Sequence, residues 1–351
     1  MKKRRAGILG ATGVIGQNFV RFLQNHPYFE IACVTGSASS SGKTYRDATD
    51  WIVGDKIPKD VTDLTVLDTE SKVVLQNDID LVFSALPANV AYRVEDELAK
   101  AGVPVFSNAS VHRMKNSVPI LIPEINPDHL NLVSYQQYET GFIITNSNCS
   151  TAGLVFGLKP LMDYGISDVV VTTYQAVSGA GRDGIGAMDI LGNVIPYIAN
   201  EETKVEQETR LILGENSNGK IVPAPFTVNA SCARVPVLNG HLESVVVELE
   251  HELSVNQVIE VYNSFNGEPQ NLKLPTAPSN PIIVMKEQDR PQPTRDLSLQ
   301  TGDLGMAVKI GRIRKHKNRL NFFLLIHNAI RGAAGASVLN AEFAIAKGVL
   351  K

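Results

Sequence analysis

Short apolar runs and segments repeating every three to four residues follow each other along the chain. Residues 6–9 are an apolar run, a glycine-rich turn comes next, and Phe19, Val20 and Leu23 then recur at helical spacing. Strand, turn and helix in that order open a parallel α/β unit. Apolar runs at 31–35, 80–87 and 103–106 predict further strands, with a helix over 90–101. A strand at 142–145 enters a polar turn, after which Leu154, Val155, Leu158 and Leu161 mark one stripe of a helix.

Beyond that helix the rhythm changes. Alternating runs at 169–178, 231–238, 242–250, 307–313 and 320–326 predict strands of a second sheet, with a polar helix between 195 and 213. Ser254 and Gln257 form a capping box that opens a helix with Val255, Val258, Ile259, Tyr262 and Phe265 inward. The proline-rich stretch 274–281, with Pro291 and Pro293, is expected to be a loop draped over a neighbouring surface or subunit. The closing segment, 328–350, is rich in Ala and Gly and is expected to pack back against the first domain. A chain of 351 residues is long for one core, so two domains are expected. They are an N-terminal Rossmann-type dinucleotide-binding domain (1–149 with 328–351) and an α+β domain with a mixed sheet (150–327), α/β overall.

Composition narrows the function by exclusion. Hydrophobic content of 44%, charged content of 20% and a net charge of −3 give no reason to expect nucleic acid or a membrane surface as partner. No apolar run approaches the roughly 20 residues of a membrane helix. The basic start is followed by an apolar run too short for a signal peptide. Cys33, Cys149 and Cys232 are widely spaced and odd in number, which suits a reducing, cytoplasmic compartment and matches no metal-ligand spacing.

Chemistry concentrates at Thr145-Asn-Ser-Asn-Cys-Ser-Thr-Ala-Gly153. Cys149 falls at a helix N-terminus, where unpaired N–H groups and the dipole favour a thiolate. Asn148 and the N–H groups of the turn are candidates to hold an oxyanion. A small buried cysteine is the ordinary alternative, and the polar neighbours on both sides argue for a nucleophile. Gly10-Ala-Thr-Gly13-Val-Ile-Gly16, between strand and helix, suits a pyrophosphate on the helix N-terminus. After the second strand, where an acidic residue would bond the ribose of NAD, the chain reads Thr35-Gly-Ser-Ala-Ser-Ser-Ser-Gly-Lys43. Hydroxyls and a lysine there suit a 2′-phosphate, hence NADP. Asn108 and Arg113, after another strand end, are placed to reach cofactor and substrate anion. Three-residue spacing puts Glu201 and Lys204 on one helix face, which an ordinary solvated pair would also explain. Of seven histidines, His241 is the best candidate acid/base, at the head of an alternating strand and seven residues after Arg234, a fork for a carboxylate. His26 and His129 are expected at the surface.

Gly-Ala-Thr-Gly-Val-Ile-Gly, Ser-Asn-Cys-Ser-Thr, Tyr-Gln-Ala-Val-Ser-Gly-Ala-Gly, Asn-Ala-Ser-Cys-Ala-Arg-Val-Pro-Val-Leu-Asn-Gly-His and His-Asn-Ala-Ile-Arg-Gly-Ala-Ala-Gly occur in that order. Together they resemble aspartate-β-semialdehyde dehydrogenases of the archaeal and fungal branch, across essentially the whole chain. The resemblance implies reduction of aspartyl phosphate to aspartate semialdehyde by NADPH with release of phosphate, towards lysine, threonine and methionine. It implies Cys149 as nucleophile, His241 as acid/base and Gln175 orienting the acyl-enzyme. Arg234 would bind the substrate carboxylate, Asn148 and Arg113 the phosphate, and Glu201 and Lys204 would line the amino-acid and phosphate ends. Gly10, Thr12, Gly13, Val14, Ile15, Ser37, Ser40, Ser84, Leu86, Asn108, Ser178, Gly179 and Asn328 would hold NADP. It further implies a homodimer or homotetramer, with the second domain as the dimerisation domain, and no metal. Malonyl-CoA reductase, of the same fold, is the alternative enzyme. A non-catalytic nucleotide-binding regulator is opposed by the presence of Cys149, Gln175, Arg234 and His241 together.

Overall fold

The chain was described in a computed structural model covering residues 2–54, 56–182, 184–297 and 303–350. Six short strands, β1 (Arg4–Leu9), β2 (Phe29–Gly36), β3 (Val66–Asp68), β4 (Leu81–Ser84), β5 (Val105–Ser107) and β6 (Ile143–Thr145), pair in the order β3-β2-β1-β4-β5-β6. All five pairings are parallel. The strands β4, β5 and β6 are buried throughout, as a sheet covered on both faces requires, which is why they read as continuous apolar runs. This sheet belongs to a unit comprising Met1–Leu121, Asp128–Asn146 and Ala333–Lys351. Strand order reverses between β1 and β4, and ligands of open parallel sheets bind outside the strand C-termini at such a point.

The glycine turn follows β1. Gly10 has φ +74°, and a Cβ on Gly16 would stand 2.2 Å from the Gly10 carbonyl oxygen. Only glycines allow the strand to bend so closely onto the helix Val14–Leu23. The closing helix, Gly335–Ala346, is buried along most of its length and packs on the Val14–Leu23 helix and on β5. Its small residues permit that approach. His26 and His129 are not surface residues, as their polar sequence surroundings suggested. Both are buried, and His26 lies 2.8 Å from Glu342 of the closing helix while stacking on Phe29.

The second unit comprises Ile122–Pro127 and Ser147–Gly332. Its sheet joins β7 (Ile166–Gln175), β10 (Thr227–Arg234), β11 (His241–Leu249), β12 (Ile282–Val284), β13 (Val308–His316) and β14 (Arg319–Ile326) in the order β10-β7-β11-β14-β13-β12. Two pairings are parallel, β10 with β7 and β12 with β13, and the rest antiparallel, so the sheet is mixed. A small hairpin, β8 (Glu215–Ser217) with β9 (Lys220–Val222), stands apart from it. Three expectations change here. The stretch 274–281 is irregular as expected, but Pro293 opens a short helix, Pro293–Asp296, and β12 between the two proline segments pairs in the sheet. In the capping-box helix, Val255–Ser264, Val258 and Tyr262 are buried, while Val255, Ile259 and the following Phe265 face inward only half-buried. The helix Cys149–Leu158 has no single apolar stripe, since every residue after Cys149 is buried. Gly153 and Gly157 make that possible: a Cβ on either would come within 2.9 Å of Leu324 or Phe322 of β14. No helix among the described residues is long and apolar enough to cross a membrane.

Candidate active site

The candidate catalytic side chains of the second unit form a rank across the end of its sheet. Arg234 at the end of β10 pairs with Gln175 at the end of β7. Leu242 pairs with Tyr174, so His241 comes beside Gln175 on the next strand. Paired residues project to the same face of a sheet, and here that face is the buried one. Three residues from distant parts of the chain are thereby aligned by register alone. A second rank lies behind the first: Cys232, Thr173 and Glu243.

Cys149 is the first residue of its helix, and its Sγ lies 3.1 Å from His241 Nε2. The other ring nitrogen, Nδ1, accepts the backbone N–H of Ala176 at 3.1 Å. A backbone N–H can only donate, so a neutral ring carries its proton on Nε2 and directs it at sulfur. Complete burial and the nearby Arg234 guanidinium push the imidazole from 6.5 down to about 3, which keeps it neutral at physiological pH. Arg234 is itself lowered by burial, opposed by the charges of Cys149 and Glu201. Its Nη1 donates to the Ala176 carbonyl at 2.8 Å, and a Cβ on Gly179 would meet it at 2.8 Å, so a glycine there lets the loop lie close against the guanidinium and the imidazole.

The N–H groups of Asn148, Ser150 and Thr151 are bonded within the protein and so are not open for the oxyanion that the sequence suggests. Asn148 Oδ1 caps the helix by accepting from Ser150 and Thr151 at 2.9 and 3.1 Å. The Asn148 N–H donates to Glu208 at 2.5 Å, and its amide Nδ2 donates to Glu201 at 2.8 Å. Glu201 Oε1 also accepts from Gln175 at 3.0 Å, and Lys204 stands 3.6 Å from its other oxygen. Asn328 donates to Ser178 Oγ and accepts the Gly240 N–H, fixing the turn that presents His241.

In the first unit, Gly10, Thr12, Gly13, Val14, Ile15, Ser84, Leu86 and Asn108 stand at or just beyond the C-terminal ends of β1, β4 and β5. Two observations there suit a dinucleotide. No side chain caps the Val14–Leu23 helix at Gly13, leaving its N-terminus to an anion. Ser84 Oγ is buried without a hydrogen-bond partner. Ser37 and Ser40 lie in the turn after β2, where Ser37 bonds Ser39 and no carboxylate intervenes. Arg113 belongs to this unit too, its Nη2 donating to the Asn108 carbonyl. Among the described residues no group of His, Cys, Asp and Glu forms a metal site.

Residues 5–133 match the family model of the semialdehyde dehydrogenase NAD binding domain, and 158–331 that of the semialdehyde dehydrogenase dimerisation domain. An aspartate-semialdehyde dehydrogenase of Methanothermobacter thermautotrophicus is 47% identical over 96% of this chain and 97% of its own. The chain belongs to the aspartate-semialdehyde dehydrogenase family. A crystal structure of aspartate semialdehyde dehydrogenase with NADP from Candida albicans is 38% identical, with TM-score 0.89, covering 99% of this chain and 100% of that one. A malonyl CoA reductase (NADP) of Metallosphaera sedula is 38% identical over 99% of this chain and 98% of its own. Family membership agrees with the parallel nucleotide-binding sheet and the mixed second sheet.

For a semialdehyde dehydrogenase, several important groups were invisible to sequence reasoning. Glu208 is one, although its seven-residue spacing from Glu201 already placed both on one helix face. Asn146 is another: it bonds Asn108, the Ala333 carbonyl, Ser337 and Asn340, tying β6 to the closing segment. Gly332, read only as a small packing residue, faces Cys149. A Cβ there would come within 2.7 Å of the Cys149 Cβ.

Proposed function

We propose that this chain catalyses the reversible, NADPH-dependent reduction of L-4-aspartyl phosphate to L-aspartate-4-semialdehyde with release of phosphate. The observation that carries the reading is the Cys149 Sγ–His241 Nε2 approach of 3.1 Å, beside Gln175 and Arg234 in one rank. Sulfur attacks the acyl carbon, phosphate leaves with its bonding electrons, and a thioester on Cys149 remains. His241 holds its Nε2 proton towards sulfur, supporting the thiolate, and serves as the acid/base as charge develops on the substrate oxygen. Arg234 pairs with the α-carboxylate through its planar fork and so places the acyl carbon. Gln175 orients the thioester, and Glu201 and Lys204 take the amino and phosphate ends with Asn148 and Arg113. NADPH, when bound, supplies the hydride. We assign its contacts to Gly10, Thr12, Gly13, Val14, Ile15, Ser37, Ser40, Ser84, Leu86, Asn108, Ser178, Gly179 and Asn328.

We infer a homo-oligomer, dimer or tetramer, from the dimerisation-domain match and from exposed apolar residues of the second unit such as Val170, Met188 and Leu238. Three widely spaced cysteines, odd in number, suit the cytoplasm.

Two assays test the reading side by side: phosphate-dependent NADP reduction with aspartate semialdehyde, and NADPH oxidation with malonyl-CoA. Activity in the first alone, abolished in Cys149→Ala, is expected. Activity in the second alone overturns the acyl-phosphate assignment and moves the chain to the reductase activity of its 38% identical relative.

A further inference from the structure

The turn carrying the nucleophile is gripped by one helix, Glu201–Ile212. Glu201 and Glu208 lie on its buried side, and each binds a different part of Asn148, the residue just before Cys149. Glu201 takes the side-chain amide. Glu208 takes the backbone N–H, through a carboxylate that is 1% exposed. A charge-assisted bond of this kind is among the stronger hydrogen bonds, and burial removes the competing water. Asn148 sits at φ −53°, ψ 144°, the last extended residue before the helix begins. With its N–H, its amide and its carbonyl oxygen all engaged, rotation about its backbone breaks at least one of these bonds. The same helix packs on β10 and on the cysteine helix, where an apolar side chain would fill the space without the desolvation that a carboxylate brings.

We propose that Glu208 is a positioning residue for Cys149: by holding the Asn148 peptide it sets where Sγ stands relative to His241 Nε2. This rests on the reading of Cys149 as the nucleophile. Glu208 acts on the Asn148 N–H, one residue before Cys149, so its effect on the reaction passes through the turn. Loss of the bond frees the peptide to swing, and a displacement of about 1 Å at a reacting atom lowers rate on the order of 100-fold.

The test uses the full-length protein and the variants Glu208→Leu and Glu208→Gln. Leucine fills the volume without an acceptor, whereas the Gln carbonyl can still accept the Asn148 N–H. Each is measured for kcat, for KM with aspartate semialdehyde and for the rate of Cys149 alkylation by iodoacetamide, all per folded chain from circular dichroism. For Glu208→Leu, kcat is expected to fall about 100-fold, with KM within about threefold, because orientation rather than binding is lost. Alkylation of Cys149 should slow by about tenfold as sulfur loses the Nε2 proton that supports its thiolate. Glu208→Gln should recover most of both. A Glu208→Leu protein with parental kcat and alkylation per folded chain overturns the proposal, as does equal impairment of Gln and Leu variants. If the parent proves inactive with aspartate semialdehyde yet alkylation still separates the variants as described, the positioning role stands and the substrate reading fails.

Discussion

At the level of single residues, Gly332 and Cys149 show how little room the proposed nucleophile has. A methyl group on Gly332 would lie 2.7 Å from the Cys149 Cβ and 3.0 Å from its Cα, so backbone or sulfur must shift. Gly332→Ala is expected to lower kcat on the order of 100-fold while leaving NADPH affinity near that of the parent. Steady-state kinetics beside NADPH fluorescence titration checks this, and a parental kcat would mean that the turn yields. Thiol reactivity is equally selective. Burial pushes Cys33 up to about 11 and Cys232 up to about 12, so both remain protonated near neutrality. Iodoacetamide at pH 7 should label one thiol per native chain, and mass spectrometry should place it on Cys149. That residue was legible in the sequence because polar neighbours surround it. His26 was misread because its partner Glu342 lies 316 positions away, beyond anything local pattern can reveal.

At the scale of elements, two helix N-termini carry opposite instructions. The Val14–Leu23 helix begins uncapped, and the Cys149–Leu158 helix begins with Asn148 Oδ1 already accepting two of its N–H groups. Sequence pattern located both termini but could not distinguish them, since capping depends on the side-chain rotamer and on Glu201 and Glu208 some fifty or more positions later. Each terminus yields its own expectation. In Gly16→Ala the new methyl would stand 2.2 Å from the Gly10 carbonyl oxygen and 2.5 Å from the Ala11 Cα, atoms of backbone that cannot step aside. NADPH binding should be lost or severely weakened, as read by isothermal calorimetry, while Cys149 in the second unit keeps its alkylation rate. Asn148→Ala removes the cap and should lower stability by about 1 kcal/mol in denaturant titration. The strands read from the pattern lie within a few residues of their places in the structure, whereas the three-residue strands β3, β8, β9 and β12 were not read. The rank of Arg234, Gln175 and His241 was not read either, because it depends on the pairing of three strands and not on any one of them.

For the whole molecule, two buried groups pull stability in opposite directions with pH. His241 is held down at about 3 against an ordinary 6.5, so between those values the unfolded chain binds a proton that the native ring refuses. Stability therefore falls as pH drops through that window. Glu243 is pushed well above its ordinary 4.5 by burial and by the Glu201 charge, so the native carboxyl stays neutral where the unfolded one has ionised. Its contribution falls as pH rises above 4.5. Melting temperature against pH should show His241→Gln flattening the acid side and Glu243→Gln flattening the alkaline side. Unchanged slopes in both variants would remove these two groups as the cause.

The alignment of Arg234, Gln175 and His241 by register also bears on how such a protein can acquire a new substrate. Side chains in a strand alternate between faces, so a single-residue insertion in β7, β10 or β11 turns a member of the rank away from its neighbours. The sheet end is thus nearly closed to incremental change. Glu201, Lys204 and Glu208 ride on a separate helix that meets β10 through Glu202 and Glu206 but takes no part in the register of the strands, so a side-chain change there turns no member of the rank. Divergence between acyl-phosphate and thioester chemistry is therefore expected to be written in that helix, and exchanging it between two relatives is the shortest route to trading their substrates.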